Sequence, residues 1–178
     1  MSIDKIVNNY KIVKLTSKDN LDGFSCGLKD MDDFLKEDAL IQQNENLNVT
    51  YLAKYDDEII GFFSLLSDSI KVQSLNNNYK LPYDDCPAIK IGRLAINQKY
   101  GRNGLGTLLL DDICFEIKNL SEEVGVRFIT VDSYCKVRVF YYKNGFNYFK
   151  IKNKNKLIRS ASRSDKTTIP LYKDIKRI

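Results

Sequence analysis

Hydrophobic and polar positions along the chain fall into segments that are typical of strands and helices in alternation. Tyr10–Leu15 is typical of a first strand, and apolar residues three to four positions apart predict a helix over Leu28–Gln43. Residues 49–67 predict a hairpin of two strands around the turn Asp56–Glu58. The polar stretch Ser74–Pro87 contains two prolines and predicts a loop.

The second half of the chain continues this alternation. It predicts strands over Ile89–Ile96, Val126–Asp132, Phe146–Lys150 and Thr167–Tyr172, and helices over Leu105–Leu120 and Lys136–Lys143. The longer helix has one apolar face, formed by Leu105, Leu108, Leu109, Ile113, Ile117 and Leu120. This order of elements favours an α/β protein, α+β in the wider sense, built on one mixed sheet. A length of 178 residues predicts a single domain over residues 1–178.

Composition narrows the class of protein further. With 43% hydrophobic and 29% charged residues, the chain is typical of soluble globular proteins. No apolar run reaches the roughly 18 residues of a membrane span, so we expect no membrane partner and a cytoplasmic location. The four cysteines are scattered without a C-x-x-C pair, which predicts reduced thiols rather than disulfides or a zinc site.

Histidine is absent from the sequence. This absence excludes a Ser-His-Asp triad, a Cys-His pair, a His-ligated metal and an imidazole general base. Any proton transfer that the protein catalyses must therefore use other side chains, and we expect no metal.

Charge is concentrated at the C-terminal end. Residues 136–178 carry 13 lysines and arginines against two acidic residues, interleaved with aromatic residues. Such a segment can attract a polyanion such as nucleic acid. The alternative is a solvated, lysine-rich strand and loop.

A glycine-rich loop, "QKYGRNGLG" (Gln98–Gly106), lies between a predicted strand and a predicted helix. A strand, a glycine loop and a helix N-terminus bring backbone N–H groups and the positive end of the helix dipole together, which favours an anion such as phosphate. The spacing matches neither the dinucleotide-binding G-x-G-x-x-G nor the P-loop pattern. A plain tight turn would also use glycine.

Two longer segments, "IGRLAINQKYGRNGLGTLLLDD" and "VDSYCKVRVFYYKNGF", resemble the GNAT family of acetyl-CoA-dependent N-acetyltransferases. The resemblance implies the GNAT fold, a mixed and mostly antiparallel sheet flanked by helices, with a V-shaped splay between central strands. It implies that acetyl-CoA binds at Leu94, Ala95, Ile96, Gly101, Arg102, Asn103, Gly104, Leu105, Gly106 and Thr107. Gly101 departs from the family pattern, since Gln or Arg usually stands there; the amide contacts do not depend on that side chain.

The resemblance extends to a subgroup of the family. Together, "FSCGLKDMDDFL", "TYLAKYDDEIIGFFSL", "RLAI", "VDS" and "IPLYKDI" look like the GNAT-type toxins of bacterial toxin-antitoxin pairs. This implies that the acceptor is the α-amine of aminoacyl-tRNA and that a ribbon-helix-helix antitoxin is a partner. A homodimer is also compatible with it.

The second motif supplies a candidate catalytic residue. Phe140, Tyr141, Gly145 and Phe146 match the F-Y-x-x-x-G-F stretch that frames the thioester in the family. A tyrosine phenol has a reference pKa near 10, so Tyr141 can donate a proton to the departing thiolate as a general acid. The alternative is an aromatic core residue in a helix.

No general base is evident, and this bears on the acceptor. A lysine amine has a pKa of about 10.4 and must be deprotonated, whereas an α-amine titrates at about 7.7 to 8.0. The chemistry therefore favours an α-amine. Asp84, Asp85 and Asp132 remain open as bases or as solvated carboxylates.

Other residues near the motifs each have two interpretations. Arg93 either faces the acceptor or pairs with an acid at the sheet edge. Asp132 and Ser133 either line the splay or cap the following short helix, the commoner use. We interpret Cys135 as a packing residue rather than a nucleophile.

The basic segment predicts the surface that binds the acceptor. If its first half is a strand, Lys150, Lys152, Lys154 and Lys156 lie on one face and form a stripe suited to a phosphate backbone, with Arg159 and Arg163 beyond it. Two other functions stay open. One is an N-acetyltransferase for a small-molecule or protein amine, and the other is a non-catalytic acyl-CoA-binding module.

Overall fold

The computed structural model of the chain describes residues 5–6, 9–76, 79–150, 158–159 and 167–178. Its strands are β1 (Lys11–Lys14), β2 (Val49–Tyr55), β3 (Glu58–Lys71), β4 (Asp85–Ile96), β5 (Phe128–Tyr134), β6 (Asn147–Tyr148) and β7 (Thr168–Asp174). Its α-helices are α1 (Lys29–Asp33), α2 (Ala39–Asn44), α3 (Leu105–Leu120) and α4 (Arg138–Lys143). Short 3₁₀ turns cover Val72–Ser74, Gln98–Tyr100, Cys135–Val137 and Ile175–Arg177.

The strands form one seven-stranded sheet in the order β1-β2-β3-β4-β5-β7-β6, flanked by helices. The pairs β1–β2, β2–β3, β5–β7 and β6–β7 are antiparallel. This confirms the predicted fold class, while the splay between central strands stays a prediction. No helix in the described part of the chain is long and apolar enough to span a membrane.

The chain divides into two compact units, unit 1 (Met1–Leu66 and Ile91–Ile113) and unit 2 (Ser67–Lys90 and Cys114–Ile178). In unit 1 the ring of Phe62 packs against Phe24 and Phe34, with centroids 5.3 Å and 6.2 Å away. The core of unit 2 is a separate cluster of Ile70, Leu75, Cys86, Ala88, Phe128 and Tyr172. The single-domain organisation over residues 1–178 stays a prediction.

The first predicted helix is confirmed, with one local difference. A π-helical turn, Phe34–Asp38, joins α1 to α2, so that the helical stretch runs over residues 29–44. The turn adds a residue to the helical repeat and still buries Phe34 and Leu35. The hairpin is also confirmed, although Glu58 already belongs to β3 rather than to the turn.

Helix α3 has the predicted bounds, but two residues of its predicted apolar face are wrong. Leu108 and Leu120 are exposed. The buried face uses Leu110 and Cys114 in their place, at spacings of three to four residues from the remaining members.

The predicted loop over Ser74–Pro87 is wrong at its end, because β4 begins at Asp85. Cys86 and Ala88 are buried while Asp85 and Pro87 are exposed, the alternation of a half-buried strand. The acidic and proline residues concealed that alternation. The strand predicted over Phe146–Lys150 is confirmed only at Asn147–Tyr148.

Candidate functional site

The backbone that leaves β4 is held by a buried asparagine. Asn97 is 1% exposed, its amide nitrogen donates to the Ile59 carbonyl at 3.1 Å, and its side-chain oxygen accepts from the Lys99 N–H at 3.2 Å. Its own backbone N–H donates to the Ile60 carbonyl at 2.9 Å. Asn97 therefore fixes where the glycine-rich loop begins, by the usual Asx-turn geometry.

A carboxylate holds the next turn of the loop. Glu58 accepts hydrogen bonds from the Lys99 ammonium at 2.5 Å and from the Tyr100 hydroxyl at 2.6 Å. The bond from Lys99 and then that from Tyr100 lower the pKa of Glu58, while burial and Glu58 raise the pKa of Tyr100 to about 12. At neutral pH Glu58 is therefore ionised and Tyr100 is protonated. Their hydrogen bond anchors the base of the loop to β3.

Beyond this anchor the loop is exposed and takes an unusual conformation. Arg102 has φ 64° and Gly104 has φ 81°, both in the left-handed region. A side chain at Gly104 would have open space around it but would adopt a strained backbone conformation. Gly101 has φ −63° and needs no glycine for conformational reasons.

The backbone N–H groups from Arg102 to Gly106 donate no hydrogen bond to any described residue. The helix begins immediately afterwards, since the N–H groups of Thr107 and Leu108 both donate to the Gly104 carbonyl. Five consecutive open donors stand at the N-terminus of a 16-residue helix, where the helix dipole is positive. This arrangement can bind a phosphate or pyrophosphate. Of the predicted cofactor residues, Gly101 and Thr107 donate within the protein instead, to Gln98 and Gly104.

Three of the predicted acetyl-CoA residues, Leu94, Ala95 and Ile96, lie on the strand that leads into this loop. Ala95 is buried, and Leu94 and Ile96 are half-buried. A Cβ at Gly61 of the neighbouring β3 would approach the Ala95 carbonyl and the Ile96 side chain to 3.0 Å each. A side chain at position 61 would therefore require its neighbours on β4 to shift by a few tenths of an ångström.

Arg93, a predicted substrate-binding residue, pairs with no acid in the described part of the chain. Its guanidinium stacks over the Phe34 ring, 4.9 Å from the centroid, and donates to the Gly92 carbonyl at 2.9 Å. Of its two interpretations, pairing with an acid is therefore not seen among the described residues, and a role toward the acceptor stays a prediction. The Arg93 side chain is exposed, and its stacking joins β4 to the π-helical turn that carries Phe34.

Tyr141 lies in unit 2, in the middle of α4, and is 6% exposed. The F-Y-x-x-x-G-F motif forms the C-terminal cap of this helix: the Gly145 N–H donates to the Tyr142 carbonyl at 3.2 Å and the Phe146 N–H to the Tyr141 carbonyl at 3.1 Å. This is a Schellman motif, which requires the left-handed conformation seen at Gly145, φ 86°. Its apolar contact joins Phe146 to Tyr141, with ring centroids 5.4 Å apart.

The hydroxyl of Tyr141 is protonated at neutral pH and has no hydrogen-bond partner among the described residues. Burial, and secondly the Cys114 thiol, raise the pKa of Tyr141 above its usual value. The neighbouring Tyr142 is 56% exposed and points elsewhere, because adjacent residues of a helix do not face the same way. Tyr141 can therefore donate a proton.

Lys173, which sequence reasoning missed, holds the same cap from β7. Its ammonium donates to the Asn144 carbonyl at 3.1 Å and lies 3.7 Å from the Cys114 sulfur and 5.7 Å from the Phe146 ring centroid. No described carboxylate pairs with it. Nothing in the sequence indicated this role, because Lys173 lies 27 residues beyond the end of the motif that it supports.

The other candidate residues each have their own partner or packing environment. Asp132 does not cap the following helix; it pairs with Lys90 at 3.0 Å. Ser133 is buried and donates to the Tyr134 carbonyl. Asp85 pairs with Lys71 at 2.6 Å. Cys135 is 2% exposed, which fits its interpretation as a packing residue.

Most of the predicted basic stripe lies outside the described residues. Lys152, Lys154, Lys156 and Arg163 lie outside the described residues. Lys150 is exposed but follows β6 rather than continuing it, and its N–H donates to the Ser74 carbonyl at 2.7 Å. Arg159 is exposed.

Comparisons with known proteins found matches in sequence and in fold. A model of the acetyltransferase (GNAT) domain matches residues 46–148. The tRNA-acetylating toxin of Mycobacterium tuberculosis (strain ATCC 25618 / H37Rv) is 28% identical over 131 residues, which cover 72% of this chain and 78% of that protein.

Two solved structures share the fold over nearly the whole chain. A crystal structure of a tyrosine-to-phenylalanine mutant of KacT aligns with a TM-score of 0.80 and 21% identity, covering 94% of this chain and 96% of that one. AtaT complexed with acetyl-methionyl-tRNAfMet aligns with a TM-score of 0.79 and 22% identity, covering 95% and 96%.

Proposed function

Since the chain belongs to the GNAT acetyltransferase family, we propose that it transfers the acetyl group of acetyl-CoA to the α-amine of an aminoacyl-tRNA. The amine attacks the thioester directly, without an acetylated enzyme. The observation that carries this proposal is the row of open N–H groups from Arg102 to Gly106 at the N-terminus of α3. A diphosphate fits such a row, and acetyl-CoA contains one.

The glycine-rich loop and Tyr141 have different roles in this proposal. In unit 1 the loop amides hold the pyrophosphate, and the backbone of Leu94–Ile96 binds the pantetheine and offers an N–H to the acetyl oxygen as negative charge develops there. In unit 2 the Tyr141 hydroxyl donates its proton to the thiolate of CoA as the C–S bond breaks. The raised pKa of Tyr141 keeps that proton available at neutral pH.

The absence of histidine favours an α-amine over a lysine amine as the acceptor, because no imidazole is present to deprotonate a lysine. An α-amine with a pKa of about 7.7 to 8.0 is partly neutral at physiological pH, and its proton can leave to water. The similarity to a tRNA-acetylating toxin supports the aminoacyl-tRNA as the molecule that carries this amine. The basic C-terminal segment supplies positive charge for its phosphates.

An enzyme that acetylates aminoacyl-tRNA blocks translation, and we propose that this protein is such a toxin, acting in the cytoplasm. AtaT has been solved with the C-terminus of its antitoxin AtaR. We propose a comparable antitoxin for this chain, a small ribbon-helix-helix repressor.

Salt dependence separates this function from acetylation of a small-molecule or protein amine. Each neutralised phosphate adds about 0.7 to 0.9 to the slope of log K against log salt. We expect tRNA binding to weaken steeply with salt, and reversal of charge at Lys150 and Arg159 to flatten that slope without changing the affinity for acetyl-CoA. A salt-independent acceptor KM, with rapid acetylation of a polyamine or peptide N-terminus, would favour the small-amine or protein acetyltransferase instead. Binding of acetyl-CoA without CoA release to any amine would leave an acyl-CoA-binding module.

A further inference from the structure

One face of the sheet in unit 2 carries a cavity of about 350 Å³. Strands β3, β4, β5 and β7 form its floor, and Phe149 stands at its wall. The volume is within the range of small-ligand sites in proteins. None of the residues discussed above as holding acetyl-CoA lines it.

The floor of the cavity contains a network of charged and polar side chains. Asp68 accepts a hydrogen bond from the Thr130 hydroxyl at 2.5 Å. The Lys90 ammonium lies 3.0 Å from a carboxylate oxygen of Asp132 and 3.8 Å from one of Asp68. Two carboxylates therefore share one ammonium.

The second lysine of the cavity does not balance this charge. Lys71 is paired with Asp85 at 2.6 Å. The side chain of Asp132 is 47% exposed, and its second oxygen, Oδ1, accepts no hydrogen bond from the described residues. The network thus offers a free acceptor on a carboxylate and an excess of one negative charge, which suits an amine or ammonium group.

The walls beside this network are apolar. Ile70, Leu171 and Phe149 line the cavity, and the Phe149 ring is held against Tyr172 with centroids 4.9 Å apart. A group that enters next to Asp132 therefore meets hydrocarbon on the other side. An amine attached to an apolar side chain fits both surfaces.

The cavity is connected through the chain to two parts of the proposed enzyme. Asp132 lies on β5, which leads through the turn Cys135–Val137 into α4 and Tyr141. At the rim, the Lys150 N–H donates to the carbonyl of Ser74, which also lines the cavity. Lys150, a residue of the basic segment, therefore lies at the rim of the cavity.

We propose that this cavity binds the aminoacyl group of the acceptor, with its amine hydrogen-bonded to Asp132 and an uncharged, apolar side chain against Phe149 and Ile70. This rests on the proposed function. The negative charge shared by Asp68 and Asp132 excludes aspartyl and glutamyl groups. The network thereby selects which aminoacyl-tRNAs are acetylated.

Equilibrium binding tests this without any transfer reaction. The probes are adenosines that carry methionine, desamino-methionine or glutamate on the 3′ position through a stable amide bond, titrated into the full-length protein in calorimetry. We expect the methionyl probe to bind about tenfold or more tightly than either of the others, as a charge-assisted hydrogen bond requires. Asp132→Asn should remove that preference for the amine and leave the affinity for acetyl-CoA unchanged.

Asp57→Asn, in the exposed hairpin turn of unit 1, is the matched control and should keep the preference. Equal affinity for the methionyl and desamino probes, or an Asp132→Asn variant with the wild-type preference, would overturn the proposal. Failure of the proposed function gives a different result. In that case no label passes from acetyl-CoA to charged tRNA, while the amine-dependent binding of the methionyl probe and its loss in Asp132→Asn persist.

Discussion

Two glycines with left-handed backbones, Gly104 and Gly145, lie at the ends of two helices and have opposite effects on the backbone N–H groups there. At Gly104, before α3, the chain leaves the N–H groups of residues 102–106 without partners in the described structure. At Gly145, after α4, the chain turns back so that the N–H groups of Gly145 and Phe146 bond to helix carbonyls. The first helix end is open toward a ligand, and the second is closed upon itself.

The same left-handed conformation of glycine therefore has different consequences at the two helix ends. The open end in unit 1 presents backbone donors that an external anion can satisfy. The closed end in unit 2 uses its donors to fix a side chain, Tyr141, against Phe146. Each end also has its own anchor, Glu58 for the loop and Lys173 for the cap.

The open end should be the more sensitive to substitution. Gly104→Glu places a carboxylate where we propose that the pyrophosphate binds, and it forces a side chain into a left-handed backbone. We expect calorimetry to detect no acetyl-CoA binding. Gly125→Glu, at an exposed glycine with open space around it, is the control and should bind normally. Micromolar affinity in Gly104→Glu would remove the loop from the site.

A substitution at the closed end should lower the turnover rate rather than the affinity for acetyl-CoA. Tyr141→Phe removes only the hydroxyl, and general acid catalysis typically contributes about 10²- to 10⁴-fold. We expect kcat to fall about 10²-fold or more with unchanged affinity for acetyl-CoA. The adjacent, exposed Tyr142→Phe should keep wild-type kcat. An unchanged kcat in Tyr141→Phe would leave Tyr141 as a packing residue.

The anchor of the closed end should have a smaller effect that depends on Tyr141. Lys173→Met removes the bond to the Asn144 carbonyl, so we expect kcat to fall about tenfold, by misplacement of the phenol, with KM for acetyl-CoA within about twofold. Lys173→Arg should restore much of the activity.

A double-mutant cycle separates positioning from general destabilisation. In the Tyr141→Phe background, Lys173→Met should cause no further loss of kcat. Lys118→Met removes another lysine that donates to a backbone carbonyl of unit 2, at Ile178, and should not change kcat. An equal loss from Lys173→Met in both backgrounds would show that Lys173 acts on the fold alone.

The anchor of the open end should have the smallest effect, visible in its pH dependence. The folded-state pKa of Glu58 is lowered, so its stabilisation is complete above its unfolded pKa of about 4.5 and is lost as pH falls through the folded value. We expect Glu58→Gln to melt below the wild type at neutral pH, with acetyl-CoA affinity reduced by less than about fivefold. The difference in melting temperature should shrink below pH 4.5, whereas Asp57→Asn should melt like the wild type throughout. A pH-independent difference would contradict the Glu58 anchor.

The sequence predicted the open end better than the closed one, for a physical reason. Backbone donors at a loop and helix N-terminus follow from local order along the chain, so Gly104 and α3 were predictable from residues 98–120. The support of Tyr141 comes from Lys173, which only the pairing of β5 with β7 places near it. Sequence periodicity contains no information on such contacts.

The errors in the fold have the same origin. The start of β4 was missed because Pro87 and its acidic neighbours outweighed the alternation of Cys86 and Ala88. Capping of the following helix was one of two interpretations of Asp132, but Lys90 of another strand pairs with it instead. Local propensity gives way where tertiary contacts supply a stronger partner.

The most direct test of the account incubates the protein with labelled acetyl-CoA and total tRNA that is either charged or deacylated. We predict that label enters only the charged pool and is recovered as N-acetylaminoacyl esters. The product should disappear with Gly104→Glu and fall about 10²-fold or more in rate with Tyr141→Phe. If label enters neither pool while a free amine or a peptide N-terminus accepts it readily, the protein is not an aminoacyl-tRNA acetyltransferase.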